Sequence, residues 1–230
     1  MAALQLILGE LNYVLKYSSK RRSMALQIAD GKLTVRAPVG VSIADVNALI
    51  TKKQFWIAKH LNQTQHTPAW LEQGCVPLLG KLLPLQVRNA AASGVLLSGG
   101  LVIVSLSKRV KPTDAKLRQL LQHWYKHQAS VWFAERVTFW QREMKVTPAS
   151  LTIGHWKTKW GYCKSNAELG FNWRLMMAPE WVADYVVVHE LAHLRYLNHS
   201  VHFWQLVQQY YPRHKDAKQW LKQNQHRLEL

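Results

Sequence analysis

His189-Glu190-Leu191-Ala192-His193, with His199 six residues further on, is the stretch on which the reading of this chain turns. Two His four apart on a helix project from one face, so both imidazoles can reach one metal ion. A catalytic zinc takes three protein ligands and keeps one position open. His199 is the natural third ligand, with Asp216, His202 and His214 as alternatives. Glu190 lies beside the first His and can take a proton from the water that a metal activates.

The flanking residues fit a buried helix. Pro179 can open it. Trp181-Val182-Ala183-Asp184-Tyr185-Val186-Val187-Val188 is apolar nearly all round, the pattern of a helix enclosed by protein. Polar groups there are costly unless something pairs them, and a metal does so. The helix is expected at about 180–197. Other zinc-site patterns fit less well. The gap between the second and third His carries Tyr196 where a metzincin has Gly, and no Met follows Met177 to make a Met-turn. A downstream Glu ligand has only Glu229 to draw on.

Working outward, Ser200 can cap a helix carrying Phe203, Trp204, Val207 and Tyr210, ended by Pro212. A last helix is expected at about 214–224. Upstream, residues 151–157 and 167–173 read as strands on either side of Trp160-Gly161-Tyr162-Cys163. Before them, Thr113 caps a long helix whose apolar residues, from Leu117 to Met144, recur at helical spacing until Thr147-Pro148. Residues 108–145 hold nine Lys/Arg against three acids. Such a face is either solvated or a dock for a phosphate backbone. The same two readings apply to Lys20-Arg21-Arg22.

The N-terminal part reads as a small sheet with one helix layered on it. Strands are expected at 11–17, around Met24–Ile28 and at Leu33–Val35, with Asp30-Gly31 as a hairpin turn. Ser42 caps one helix running to about residue 63. Further strands follow at 76–79, 82–87, 95–97 and 101–106, with Gly80-Lys81 and Gly99-Gly100 as turns. The polar, basic stretch 105–112 sets the expected division, 1–107 from 108–230. No internal repeat is visible. The expected fold is α+β, a small N-terminal β-rich subdomain followed by a mainly helical zincin-like metallohydrolase domain with a short antiparallel sheet.

Across 230 residues the net charge is +17, which favours anionic partners. Two Cys make no disulfide framework, and a reduced cytoplasmic setting is expected. Met1 to Glu10 lacks a basic start and a cleavage site, and no apolar run is long enough to span a membrane. The expected partners are a peptide or nucleotide substrate, and nucleic acid through the basic surface, with no membrane. Oligomeric state is not legible.

Several stretches carry a resemblance. They are Lys157-Thr158-Lys159-Trp160-Gly161-Tyr162-Cys163, Asn172-Trp173-Arg174-Leu175, Ala178-Pro179, and Asp184 through His193. Asn198-His199-Ser200 and Phe203-Trp204 complete them. Together they resemble the YgjP-like metallopeptidase family, a zincin group related to SprT-like and WLM proteins. The resemblance implies His189, His193 and His199 as metal ligands and Glu190 as catalytic acid/base. One departure is Tyr162, where the family usually has Ser.

Three functions follow as expectations. The first is a zinc metallopeptidase, in which strand 167–173 offers an edge to an extended peptide. The second is a metal-dependent nucleotide pyrophosphatase, an activity to which some family members are assigned. It is favoured by the charge and by Lys157 and Lys159. It is weakened by the lack of a carboxylate cluster for Mg²⁺. The third is a nucleic-acid-associated zinc protein, which would need a fourth ligand such as Cys163. Zn²⁺ is the expected ion, though imidazoles also accept Ni, Co and Mn. Tyr196, Lys157, Lys159 and Arg174 are candidates for an oxyanion partner.

Overall fold

A computed structural model describes residues 3–29, 32–65, 70–109 and 113–230. The chain divides into two compact units, Met1–Pro68 and Ala69–Leu230. The break falls well before the expected one at 107/108. The reason is packing: Val102, Val104 and Leu106 share one buried cluster with Leu121, Phe133 and the residues of the metal-motif helix. The polar stretch 105–112 therefore joins two parts of one core.

The first unit holds β1 (Ala3–Leu8), β2 (Leu11–Ser18), β3 (Ala25–Ala29), β4 (Lys32–Pro38), α1 (Ile43–Lys52) and α2 (Gln54–Gln65). The sheet order is β1-β2-β4-β3. Alternation sets its buried face, with Tyr13, Leu15, Leu33, Val35 and Ala37 packed against Val46, Ile50 and Ile57 of the helices. Ser42 caps α1, accepting from the Asp45 N–H. The single helix expected here is two, separated at Lys53. The Asp30-Gly31 turn lies outside the described residues, although Ala29 pairs with Lys32 across it.

The second unit opens with β5 (Cys75–Leu78), β6 (Lys81–Ala90), β7 (Gly94–Ser98) and β8 (Leu101–Ser107), in the order β5-β6-β8-β7. This repeats the first sheet. In both, the outer pairs are antiparallel and the central pair, β2–β4 or β6–β8, is parallel. In both, the fourth strand buries every second residue: Leu33, Val35 and Ala37, then Val102, Val104 and Leu106. No repeat was expected from the sequence, because the alternation recurs while the residues do not.

Next comes α3 (Asp114–Met144), 31 residues capped by Thr113. Leu121, Tyr125, Ala129, Phe133, Val137 and Met144 bury one stripe along it. It stops where Lys145 turns left-handed (φ 52°), and the Arg195 guanidinium donates to the freed Met144 carbonyl at 2.8 Å. Then follow β9 (Ser150–Gly154), β10 (Gly161–Cys163), β11 (Glu168–Asn172) and a 3-10 helix, Trp173–Met177. The chain ends with α4 (Glu180–Ala192), α5 (Val201–Tyr210), α6 (His214–Asn224) and a short 3-10 turn, Gln225–Arg227. The fold is α+β, as expected. Its small sheet is mixed rather than antiparallel, since β11 runs antiparallel to β10 but parallel to β9. Among the described residues no helix is long and apolar enough to cross a membrane.

Three attachments hold α4. Arg136 of α3 donates to both oxygens of Asp184 at 2.6 Å, and Trp140 Nε1 donates to the same carboxylate at 3.1 Å. Tyr211 donates to the Trp181 carbonyl at 2.5 Å. The β5–β6 turn reaches the helix start, where a Cβ on Gly80 (φ +83°) would meet Pro179 Cα at 3.1 Å. Only glycine suits that conformation and that approach.

Asp184→Ala is expected to lower the unfolding free energy by about 2–3 kcal/mol. That is below the loss seen for fully buried pairs, because Arg136 is partly exposed. Urea denaturation measures it, and a loss under about 0.5 kcal/mol, the size of an ordinary surface substitution, would make the pair peripheral.

Candidate metal centre

The helical spacing of the motif does what it suggests. His189 and His193 leave α4 on one face, and the helix ends at Ala192 rather than continuing to 197. Beyond it the chain tightens, with Arg195 N–H donating to the Ala192 carbonyl. That turn brings His199 back. One ligand nitrogen from each of the three His lies within 4.8 Å of the others. His189 Nε2 and His199 Nε2 are 3.1 Å apart, close to the roughly 3.3 Å that two nitrogens on one tetrahedral zinc would show.

The other ring nitrogens have partners of their own. His193 Nδ1 sits 3.0 Å from the Tyr196 carbonyl and His189 Nδ1 3.4 Å from the Tyr185 hydroxyl. A carbonyl at Nδ1 holds the proton there and leaves Nε2 bare for a metal. Phe203 of α5, fully buried, touches all three imidazoles at centroid distances of 4.6–5.0 Å. Trp204 stacks on His199. Burial, then the other two imidazoles, push the His189 pKa down to about 3. Burial lowers that of His193 too. Converging imidazoles in a partly buried pocket suit a divalent transition metal.

The alternative ligands lie elsewhere. Asp216 is exposed beside Arg213. His202 stacks on Tyr196, and His214 is buried against Trp204. The Cys163 thiol, pushed up to about 11 by burial and by Glu190, is not part of the cluster.

Glu190 is 6% exposed. Burial raises its pKa to about 8, and Lys159 pulls the other way. Gly161 of β10 lies against it, such that a Cβ there would stand 2.7 Å from Glu190 Oε1. His189, Glu190, Tyr185, Lys159 and Gly161 line one cavity of about 410 Å³. Its far wall is α6, which contributes Lys218 and Lys222. Neither lysine was singled out from the sequence. Of the four oxyanion candidates only Lys159 lines this cavity, while Lys157 and Arg174 line its neighbour. Tyr196 lines neither.

A family model described as the YgjP-like metallopeptidase domain matches residues 22–224. The chain belongs to that family. No curated protein and no solved structure matches it. The family's usual Ser position, here Tyr162, alternates with Gly161 and Cys163 and so faces away from Glu190. Its ring covers Gly170, and its hydroxyl donates to Glu168 at 2.6 Å.

The geometry gives two expected outcomes. His199→Ala is expected to lose most of its bound metal while Asp216→Ala keeps it, as read by metal analysis of purified protein. Retention by the first and loss by the second would move the third ligand to Asp216. A cation at the three imidazoles should also draw the Glu190 pKa back below 7. Zinc binding at pH 7 is then expected to release about one more proton from the wild type than from Glu190→Gln. Calorimetry in buffers of different ionisation enthalpy reads the difference, and equal release would mean Glu190 is already ionised before the metal binds.

Proposed function

We propose that this YgjP-like domain is a zinc-dependent peptidase, with His189, His193 and His199 as metal ligands and Glu190 as general base. The observation that carries this reading is the convergence of three imidazoles beside a buried carboxylate, in a cavity open to a strand edge. A divalent metal held there supplies Lewis-acid polarisation of the scissile carbonyl and a water nucleophilic near neutral pH.

The chain's own groups do the rest. Glu190 takes the proton of the attacking water and returns it to the leaving amine. Its apolar surroundings keep its basicity high enough for that transfer. Gly161 leaves room for the carboxylate to swing. Lys159 is the cation placed to meet negative charge developing on the carbonyl oxygen.

The strand available to a substrate differs from the expected one. Residues 167–173 do not supply an edge, since β11 is central, between β10 and β9. The edges are β9 and β10, and it is β10 whose first residue lies against Glu190. An extended peptide pairing with its free side would run past the general base.

A second reading, hydrolysis of a nucleotide phosphoanhydride, is favoured by one observation: lysines on both walls of the cavity. Against it, Glu190 is the only carboxylate lining that cavity among the described residues, and Mg²⁺–phosphate chemistry draws on several.

Glu190→Gln is expected to keep fold and metal and to lose about 10²–10⁴-fold in hydrolysis rate. Gly161→Ala should act in the same direction, because its Cβ would stand within 3.0 Å of Glu190 Oε1, Cγ and Cδ and displace that side chain. Assays of zinc-loaded protein against peptides and nucleoside triphosphates decide. Glu190→Gln activity within a few-fold of wild type would remove Glu190 from the mechanism.

A further inference from the structure

The cavity that holds His189 and Glu190 adjoins a second, of about 310 Å³, and the two share Lys159, Trp160 and Gln225. The first adds Lys218 and Lys222, and the second adds Lys157 and Arg174. Against these five cations stand Glu190 and Glu229. Glu229 is already engaged with Arg174 at 3.3 Å.

The lysines closest to the metal ligands are held without being neutralised. The Lys159 ammonium lies over the Tyr162 ring at 4.8 Å and near Trp156 at 5.7 Å. The Lys218 ammonium lies over Trp204 at 4.8 Å, and that same indole stacks on His199. Among the described residues none of Lys159, Lys218 and Lys222 is in an ion pair. An aromatic face attracts an ammonium but leaves its charge available. Lys218 and Lys222 stand four apart on α6, so they share a face and repel. That arrangement does nothing for the helix, and it concentrates positive potential on the cleft wall, where low-dielectric surroundings strengthen it.

The cations are also strung out. They come from the segment before β10, from the 3-10 helix at 173–177 and from two successive turns of α6. Charges spread along a cleft beside a free strand edge match a chain with several acidic side chains better than one compact phosphate group. We propose that the cleft selects acidic peptide segments, with Asp or Glu flanking the scissile bond. Lys159, Lys218 and Lys222 are the residues that recognise them. This rests on the peptidase reading above.

The test uses two peptides of one sequence, one carrying Asp and Glu, the other Asn and Gln at the same positions. Binding to zinc-loaded Glu190→Gln protein is followed by calorimetry at about 50 and 200 mM salt, and cleavage is followed with the wild type. The acidic peptide is expected to bind at least tenfold tighter at the lower salt, with the gap narrowing at the higher. In a Lys218→Gln/Lys222→Gln variant, checked for unchanged metal content, the gap should fall to about two- or threefold. Equal affinity of the two peptides for the unaltered cleft overturns the charge preference, and if both are cleaved the peptidase reading stands. Tight binding of the acidic peptide without cleavage supports the charge preference and removes the peptidase reading. Binding and hydrolysis of a nucleoside triphosphate with no binding of either peptide overturns both. A preference that survives the double variant unchanged shows that the lysines of α6 do not carry it.

Discussion

A carboxyl group buried on a helix beside three converging imidazoles is the constraint on which the rest of this structure depends. Glu190 is buried on α4, with Val186 and Val187 one turn before it on the same face. Water cannot stabilise its charge there, and its pKa rises accordingly. Such a group persists where a nearby cation makes the charged form worthwhile, and three imidazoles converge beside it. The neighbouring elements are placed to keep this arrangement rigid. Phe203 forms a floor under all three rings, the Arg136–Asp184 pair ties α4 to α3, and Gly161 brings a strand edge up to the carboxylate. In the proposed mechanism rigidity matters, because a general base displaced by about 1 Å can cost 10²-fold in rate.

The cations have a related logic. Lys159 and Lys218 lie on indole and phenol faces, which fix their position without spending their charge. Lys159 opposes the upward shift of the Glu190 pKa, and it lines the cavity that holds Glu190 and His189. The Tyr162 side chain faces away from Glu190 yet carries that lysine. A substitution on the outer face of β10 would therefore reach the site through Lys159.

The three-His cluster was legible because its signal is local. Spacing of four on an apolar helix needs no knowledge of the fold, and the return of His199 to the other two His needs only one turn of chain. Helices α5 and α6 were legible for similar reasons, with Ser200 capping one and Pro212 separating them. What depends on tertiary packing was not. Lys218 and Lys222 matter only because α6 folds back on α4. Strand β10 is three residues, Gly-Tyr-Cys, too short to show alternation, so the edge was assigned to its neighbour. The break at Lys53 carries no signal, since residues 43–65 contain neither Pro nor Gly. The recurrence of the four-stranded sheet is hidden because buried alternation can be built from Leu-Val-Ala or Val-Val-Leu alike. A basic stretch such as 105–112 resembles a linker in sequence, although residues on both sides of it share one buried cluster.

The most direct measurement of the central claim is X-ray absorption at the zinc edge on the purified, zinc-loaded protein. Three histidine nitrogens at roughly 2.0–2.1 Å, with the outer-shell pattern of imidazole rings, and one water oxygen are expected. A sulfur at roughly 2.3 Å, which would bring in Cys163, or a shell without imidazole scattering, would contradict a centre built from His189, His193 and His199.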